Sequence, residues 1–135
     1  MTERVLHLAF VVERLERVVP HWEAALDAHA EIEEGKTARK AVLKSHGVEF
    51  VFMEPEMTQD SHWSRVLRES GPGLDHVAIS SPGLDAKCEK LASQGLRLRY
   101  DVPLDDRANG HRINFVERDS LKVAILELID ELGNA

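Results

Sequence analysis

Two short stretches, LHLAFVV at residues 6–12 and DHVAISS at residues 75–81, each carry a histidine followed two positions later by alanine. His7 precedes Leu15 by eight residues and His76 precedes Leu84 by eight, with an acid after each leucine, Glu16 and Asp85. The closing stretches of the two halves also superpose, VEFVFME (48–54) on AILELID (124–130). Similarity of this kind constrains architecture more than any local motif, because it says that one supersecondary unit occurs twice. The expected fold class is α+β: two βαβββ repeats with pseudo-twofold symmetry, their strands forming a curved mixed sheet cup and their helices packed outside it.

The local patterns agree with that outline. Residues 5–12 are a β-branched apolar run of strand length. Residues 15–30 place Leu15, Val18, Val19, Trp22, Ala25 and Leu26 at helical spacing, and Pro20 moves the expected start of the regular helix to about Val19. Residues 31–36 are a charged edge strand or a loop. Residues 40–43 and 48–54 read as strands joined at Ser45-His46-Gly47. A linker with a short helical stretch around residues 63–69 follows. The pattern then restarts with a strand at 74–80, a helix at 84–94 closed by Gly95, and strands at 96–102, 112–116 and 122–129. Repeat one therefore spans about 4–55, the linker about 56–72 and repeat two about 73–130. The 135 residues are one domain.

Charge narrows the partners. With 17 basic against 24 acidic residues, the formal net charge of −7 leaves no electrostatic footprint for nucleic acid or an anionic membrane. A small-molecule substrate is expected instead. The single cysteine, Cys88, excludes an intramolecular disulfide and a multi-cysteine zinc site, and its helical setting marks it as a packing residue. Without a leader-like N-terminus or a long apolar run, the expected location is the cytoplasm.

Strand side chains alternate between faces, so histidines at matching points of two repeats point to matching faces. Across a twofold axis His7 and His76 would face each other. Glu127 stands mid-strand in VAILELI, where a carboxylate is costly unless paired or bound to metal. Taken singly, each histidine reads as a core residue, and Glu127 as the partner of a core arginine such as Arg112. The duplication favours the other reading, two imidazoles and one carboxylate forming a facial set for a divalent metal.

Three stretches carry a resemblance to a known family: HLAFVVERLERVVPHWEAAL, GPGLDHVAIS and RLRYDVPLDDRANGHRINFVERDSLKVAILEL. Together they resemble the vicinal oxygen chelate (glyoxalase/bleomycin resistance/dioxygenase) superfamily, and within it the methylmalonyl-CoA epimerases. The resemblance implies metal positions at His7, Val51, His76 and Glu127. Epimerases and glyoxalases carry Gln or Glu at the second, and Val51 cannot coordinate. Glu49 shares its face but lies two residues, roughly 7 Å, along the strand, so it is a candidate catalytic acid or base beside Glu127. The family's His-Pro-Lys turn is replaced by Glu117-Arg118-Asp119.

What the resemblance implies is a divalent-metal-dependent isomerase (Co, Mn, Zn, Ni or Fe) that stabilises an enolate of a small thioester or oxyacid. Glu127, Glu49, His46 and His111 are the groups at hand for proton transfer. Arg97, Arg99, Arg107 and Arg112 are candidates to meet the phosphates of a CoA thioester. The alternatives are a three-ligand dioxygenase or thiol transferase, or a non-catalytic binding protein of the same fold. A homodimer is expected, since members of the family close the cup within one chain or across two.

Overall fold

A computed structural model describes residues 3–106 and 110–131. The chain packs as two compact units, residues 7–75 and residues 1–6 with 76–135.

The unit of residues 7–75 contains β1 (Val5–Val11, from His7 onward), α1 (Leu15–Leu26), β2 (Glu31–Glu34), β3 (Ala38–Ser45), β4 (Val48–Pro55) and α2 (His62–Ser70). Its strands lie in the order β2-β3-β4-β1, with β1 parallel to β4 and the other pairs antiparallel. Alternation sorts the side chains. Phe10, Phe50, Phe52, Ala41 and Leu43 meet Leu15, Val19, Trp22 and Leu26 of α1 in one core. The Phe10 and Phe52 rings stack at 5.4 Å, and the Trp22 ring lies 5.4 Å from each. Full burial of one such aromatic contributes roughly 2–3 kcal/mol.

The helix α1 begins at Leu15, ahead of the start near Val19 that Pro20 implied, and ends at Asp27 in the left-handed region, short of residue 30. Pro20 removes one helical N–H, but the turn before it is anchored independently. Leu15 and Val19 are buried, and the Leu15 N–H donates to Glu54 Oε1 at 2.8 Å. The hairpin between β3 and β4 turns on His46 (φ 56°) and Gly47 (φ 76°), the two positive values that a two-residue I′ turn requires. The charged segment after α1 resolves as the edge strand β2, and its acids blunt that edge.

The second unit holds Arg4 against the end of β5 (Gly73–Ser80, from His76 onward), with the Arg4 N–H donating to Ser80 Oγ at 2.8 Å. It continues with α3 (Leu84–Ser93), β6 (Leu104–Asp106), β7 (His111–Val116), α4 (Arg118–Leu121) and β8 (Ile125–Asp130). The strand order is β5-β8-β7-β6, with β5 parallel to β8. Leu84, Cys88, Val116 and Leu128 form the core, flanked by Leu91, Leu96, Leu98 and Leu126.

The strand expected at 96–102 is absent. Only a bridge between Leu98 and Val116 remains, and the paired strand is β6, further on. The fully buried Asn114 replaces the ladder. Its Oδ1 accepts from the N–H groups of Tyr100 (3.1 Å) and Phe115 (2.8 Å), and its Nδ2 donates to the Tyr100 carbonyl (3.0 Å). One side-chain amide thus satisfies both backbone groups of Tyr100, as a strand neighbour would. The segment Glu117-Arg118-Asp119 leads into the short helix α4, and β8 starts at Ile125, later than residue 122. Among the described residues no helix is long and apolar enough to cross a membrane.

Candidate functional site

On β5 the side chains of His76, Ala78 and Ser80 alternate with those of Val77 and Ile79. Ile79 packs toward α3, so the histidine points to the opposite, open face. β8 runs parallel beside it, with His76 opposite Ile125 and Ala78 opposite Glu127. Leu126 and Leu128 pack into the helix-side core, which leaves Glu127 on the open face with His76. His76 Nε2 lies 3.3 Å from Glu127 Oε1, and both side chains are 13% exposed.

That spacing fits a metal. Bonds of about 2.0–2.2 Å at angles of roughly 90–110° put neighbouring ligand atoms about 3.0–3.5 Å apart. An imidazole nitrogen and a carboxylate oxygen, both borderline-hard donors on rigid strands, therefore stand where two ligands of one divalent cation would stand. His7, in the unit of residues 7–75, is an imidazole of the same kind and is likewise half-buried.

In the unit of residues 7–75, His7, Ala9 and Val11 occupy the face of β1 turned away from α1, since Phe10 packs toward it. The register pairs His7 with Glu49 and Ala9 with Val51. Ala9 with Val51 thus repeats the relation of Ala78 with Glu127, and valine stands at the position where the other half carries its carboxylate. Val42 lies opposite Val51 on β3, making an apolar row with Ala9. Glu49 falls in the row before it, between His7 and Lys44. The register sets this half-buried carboxylate directly beside the histidine. His46 is exposed in the hairpin, its Nδ1 at 2.6 Å from Ser45 Oγ.

The four arginines separate. Arg112 lies on the helix side, its Nη1 and Nη2 bound to the Asp85 carboxylate of α3 at 2.9 and 3.0 Å. This pair holds Asp85 below the usual carboxylate range and raises Arg112. Arg112 is therefore neither the partner of Glu127 nor turned to the open face. Arg97 reaches Asp119 at 2.6 Å in an exposed pair. Arg99 instead lies over the Phe115 ring at 4.2 Å, and Phe115 is opposite Glu127 in the β7–β8 register. Arg107 lies outside the described residues. His111 is half-buried on β7, two residues from Ile113 and four from Phe115, and shares their face.

Two features escaped the sequence reading. Asp75, 1% exposed, holds His62 Nε2 at 3.1 and 3.2 Å from its two oxygens and ties α2 to the first residues of β5. The other is the Asn114 clamp. Its signal was present: a polar residue at a helix-facing position of the apolar strand RINFV.

Residues 6–115 match the model of the Glyoxalase/Bleomycin resistance protein/Dioxygenase superfamily, and the chain belongs to it. Among solved structures, it is similar to methylmalonyl-CoA epimerase from Mycobacterium tuberculosis at 26% identity. The match covers 93% of this chain and 86% of that one, with a TM-score of 0.69. It is also similar to a Streptomyces coelicolor methylmalonyl-CoA epimerase variant in complex with 2-nitronate-propionyl-CoA. The identity there is 26%, the coverage 94% and 96%, and the TM-score 0.68. A hypothetical protein from Bacillus halodurans C-125 shares the fold at 18% identity, with coverage of 96% and 95% and a TM-score of 0.77. No curated protein matches the chain.

Proposed function

We infer that the protein is a divalent-metal-dependent isomerase of the epimerase type, acting on a carbon next to the carbonyl of a small thioester such as a CoA ester. The observation that carries this is the His76–Glu127 pair, 3.3 Å apart on the open face. Family membership and likeness to the epimerases over nearly the whole chain support it. His76, Glu127 and His7 would hold the cation, which supplies Lewis-acid polarisation of a substrate oxygen when bound. The chain's own part is proton transfer. Glu49, paired with His7 in the strand register, would take or return the proton at the substrate carbon. Glu127, 3.3 Å from His76, would supply negative charge at the cation. The repeats at about 4–55 and 73–130 each contribute one histidine, and the active form is a homodimer.

The test is solvent deuterium exchange into methylmalonyl-CoA with added cobalt or manganese. Exchange that requires metal and disappears in His76→Ala is the expected result. Folded, metal-loaded protein without exchange refutes the isomerase.

Val51 favours a second reading. With a valine where a fourth ligand would stand, the three donors match a dioxygenase or thiol transferase that keeps open positions for its substrate. Elemental analysis of purified protein separates the two. Tightly held iron with substrate-dependent oxygen uptake selects the dioxygenase, and cobalt, manganese or zinc counts against it.

A further inference from the structure

We propose that Arg99 is the anchor for a carboxylate of the substrate, so that the molecule bound here carries an acid group besides the oxygens beside His76 and Glu127. This rests on the reading that those two residues face the reacting end of the substrate.

Leu96 and Leu98 pack into the helix-side core, whereas Arg99 lies over Phe115, a side chain on the same face of the sheet as Glu127. The Arg99 N–H donates to the Phe115 carbonyl at 2.9 Å, and its guanidinium lies 4.2 Å above the Phe115 ring. Phe115 stands directly opposite Glu127, one strand away. With strands about 5 Å apart, one small molecule spans from the Glu127 carboxylate to the Arg99 guanidinium.

The guanidinium is held in place beforehand. Phe115 supports its flat face. Glu117 Oε1 accepts from Nε at 3.1 Å and from Nη2 at 2.8 Å, fixing the in-plane rotation. The Asn114 clamp on Tyr100 fixes the backbone next to Arg99. Glu117 occupies one edge of the fork. Among the described residues, Nη1 on the other edge donates to nothing, and the side chain is 30% exposed. A planar fork with one edge fixed and the other open matches the two oxygens of a carboxylate. A buried asparagine amid leucines costs stability unless it holds something in place, and what it holds is this segment.

Malonate is the probe. Isothermal titration of malonate into wild type, Arg99→Met, Arg99→Lys and Arg97→Met, each with and without cobalt, tests the assignment. In Arg99→Met binding is expected to weaken about tenfold or more, in Arg99→Lys by less, and in Arg97→Met by under twofold. The affinity for cobalt alone stays unchanged in all four. Equal losses in Arg97→Met and Arg99→Met reduce the effect to general charge and overturn the anchor, as does wild type that takes up cobalt but no malonate. Inorganic phosphate bound more tightly than malonate through Arg99 overturns the carboxylate in favour of a phosphate. Arg99-dependent malonate binding by protein that takes up no cobalt keeps the anchor and refutes the metal reading. Thermal melts confirm that the variants fold, and Arg99→Lys retains the charge if Arg99→Met does not.

Discussion

Replacing Val51 by glutamate places a carboxylate where the register matches it to Glu127, and the consequence has opposite signs with and without metal. Without a cation, the new carboxylate lies among Ala9 and Val42 with no partner in its row, at a cost of about 2 kcal/mol. At roughly 4 °C per kcal/mol for a chain of this size, Tm falls by about 8 °C. With a cation, glutamate adds a ligand. Spreading about 12 kcal/mol of structural metal binding over four ligands gives about 3 kcal/mol each, which leaves the bound variant about 1 kcal/mol more stable than wild type. Because the burial cost is already present in the cation-free protein, the full 3 kcal/mol or so appears as affinity: cobalt or manganese binding tightens about a hundredfold, and the cation-induced rise in Tm exceeds that of wild type by about 12 °C. The assay is thermal unfolding of wild type, Val51→Glu and Val51→Gln across a series of metal concentrations. A folded Val51→Glu protein whose cation-induced shift equals that of wild type refutes the idea that Val51 stands at a metal position.

Three further outcomes follow from single contacts. Asn114→Ala strands both backbone groups of Tyr100 and is expected to cost about 3 kcal/mol in urea unfolding, with under 1 kcal/mol counting against the clamp. Burial pushes the Cys88 thiol up, so the stability it contributes is full below the ordinary thiol range and is lost as pH rises through the raised value. Native protein at pH 8 should therefore react with a thiol reagent only at the rate of unfolding. Asp85 is held low by Arg112, so its contribution is present above the ordinary aspartate range and disappears as pH falls through the lowered value. In Arg112→Met, the Asp85 titration followed by NMR should move upward.

The repeat was legible because strand periodicity is strict: His76 and Glu127 had to share a face once their strands were parallel and paired as they are. The register of Glu49 was less accessible. Sequence spacing relates it to Val51 on its own strand, whereas its neighbour His7 lies on another strand, and a one-residue change in pairing would have turned it to the other face. The segment 96–102 misled because LRLRY alternates like a strand, and nothing local says that the amide of Asn114, fourteen residues beyond Tyr100, takes the place of a ladder. Pro20 misled in the opposite direction. Propensity stops a helix there, but the burial of Leu15 and Val19 and the Glu54 cap outweigh one lost hydrogen bond. The pairing of Asp75 with His62 joins a strand to a helix in the linker and leaves no periodic trace.

The two halves therefore share a register but not a chemistry. One half presents a histidine with a carboxylate on the diagonal, and the other presents a histidine with a carboxylate beside it and an apolar row beyond. Under the proposed function, that displacement of a single carboxylate separates holding a cation from handling a proton. Glu49→Gln keeps the size and removes the base. If Glu49 moves the proton, exchange into methylmalonyl-CoA drops by about a hundredfold or more, while cobalt affinity stays within twofold of wild type. His76→Ala gives the contrast, losing metal and exchange together. Should Glu49→Gln weaken cobalt as His76→Ala does, Glu49 is itself a ligand. The apolar row at Val51 would then mark no missing donor, because the first half would have moved its carboxylate two residues along the strand.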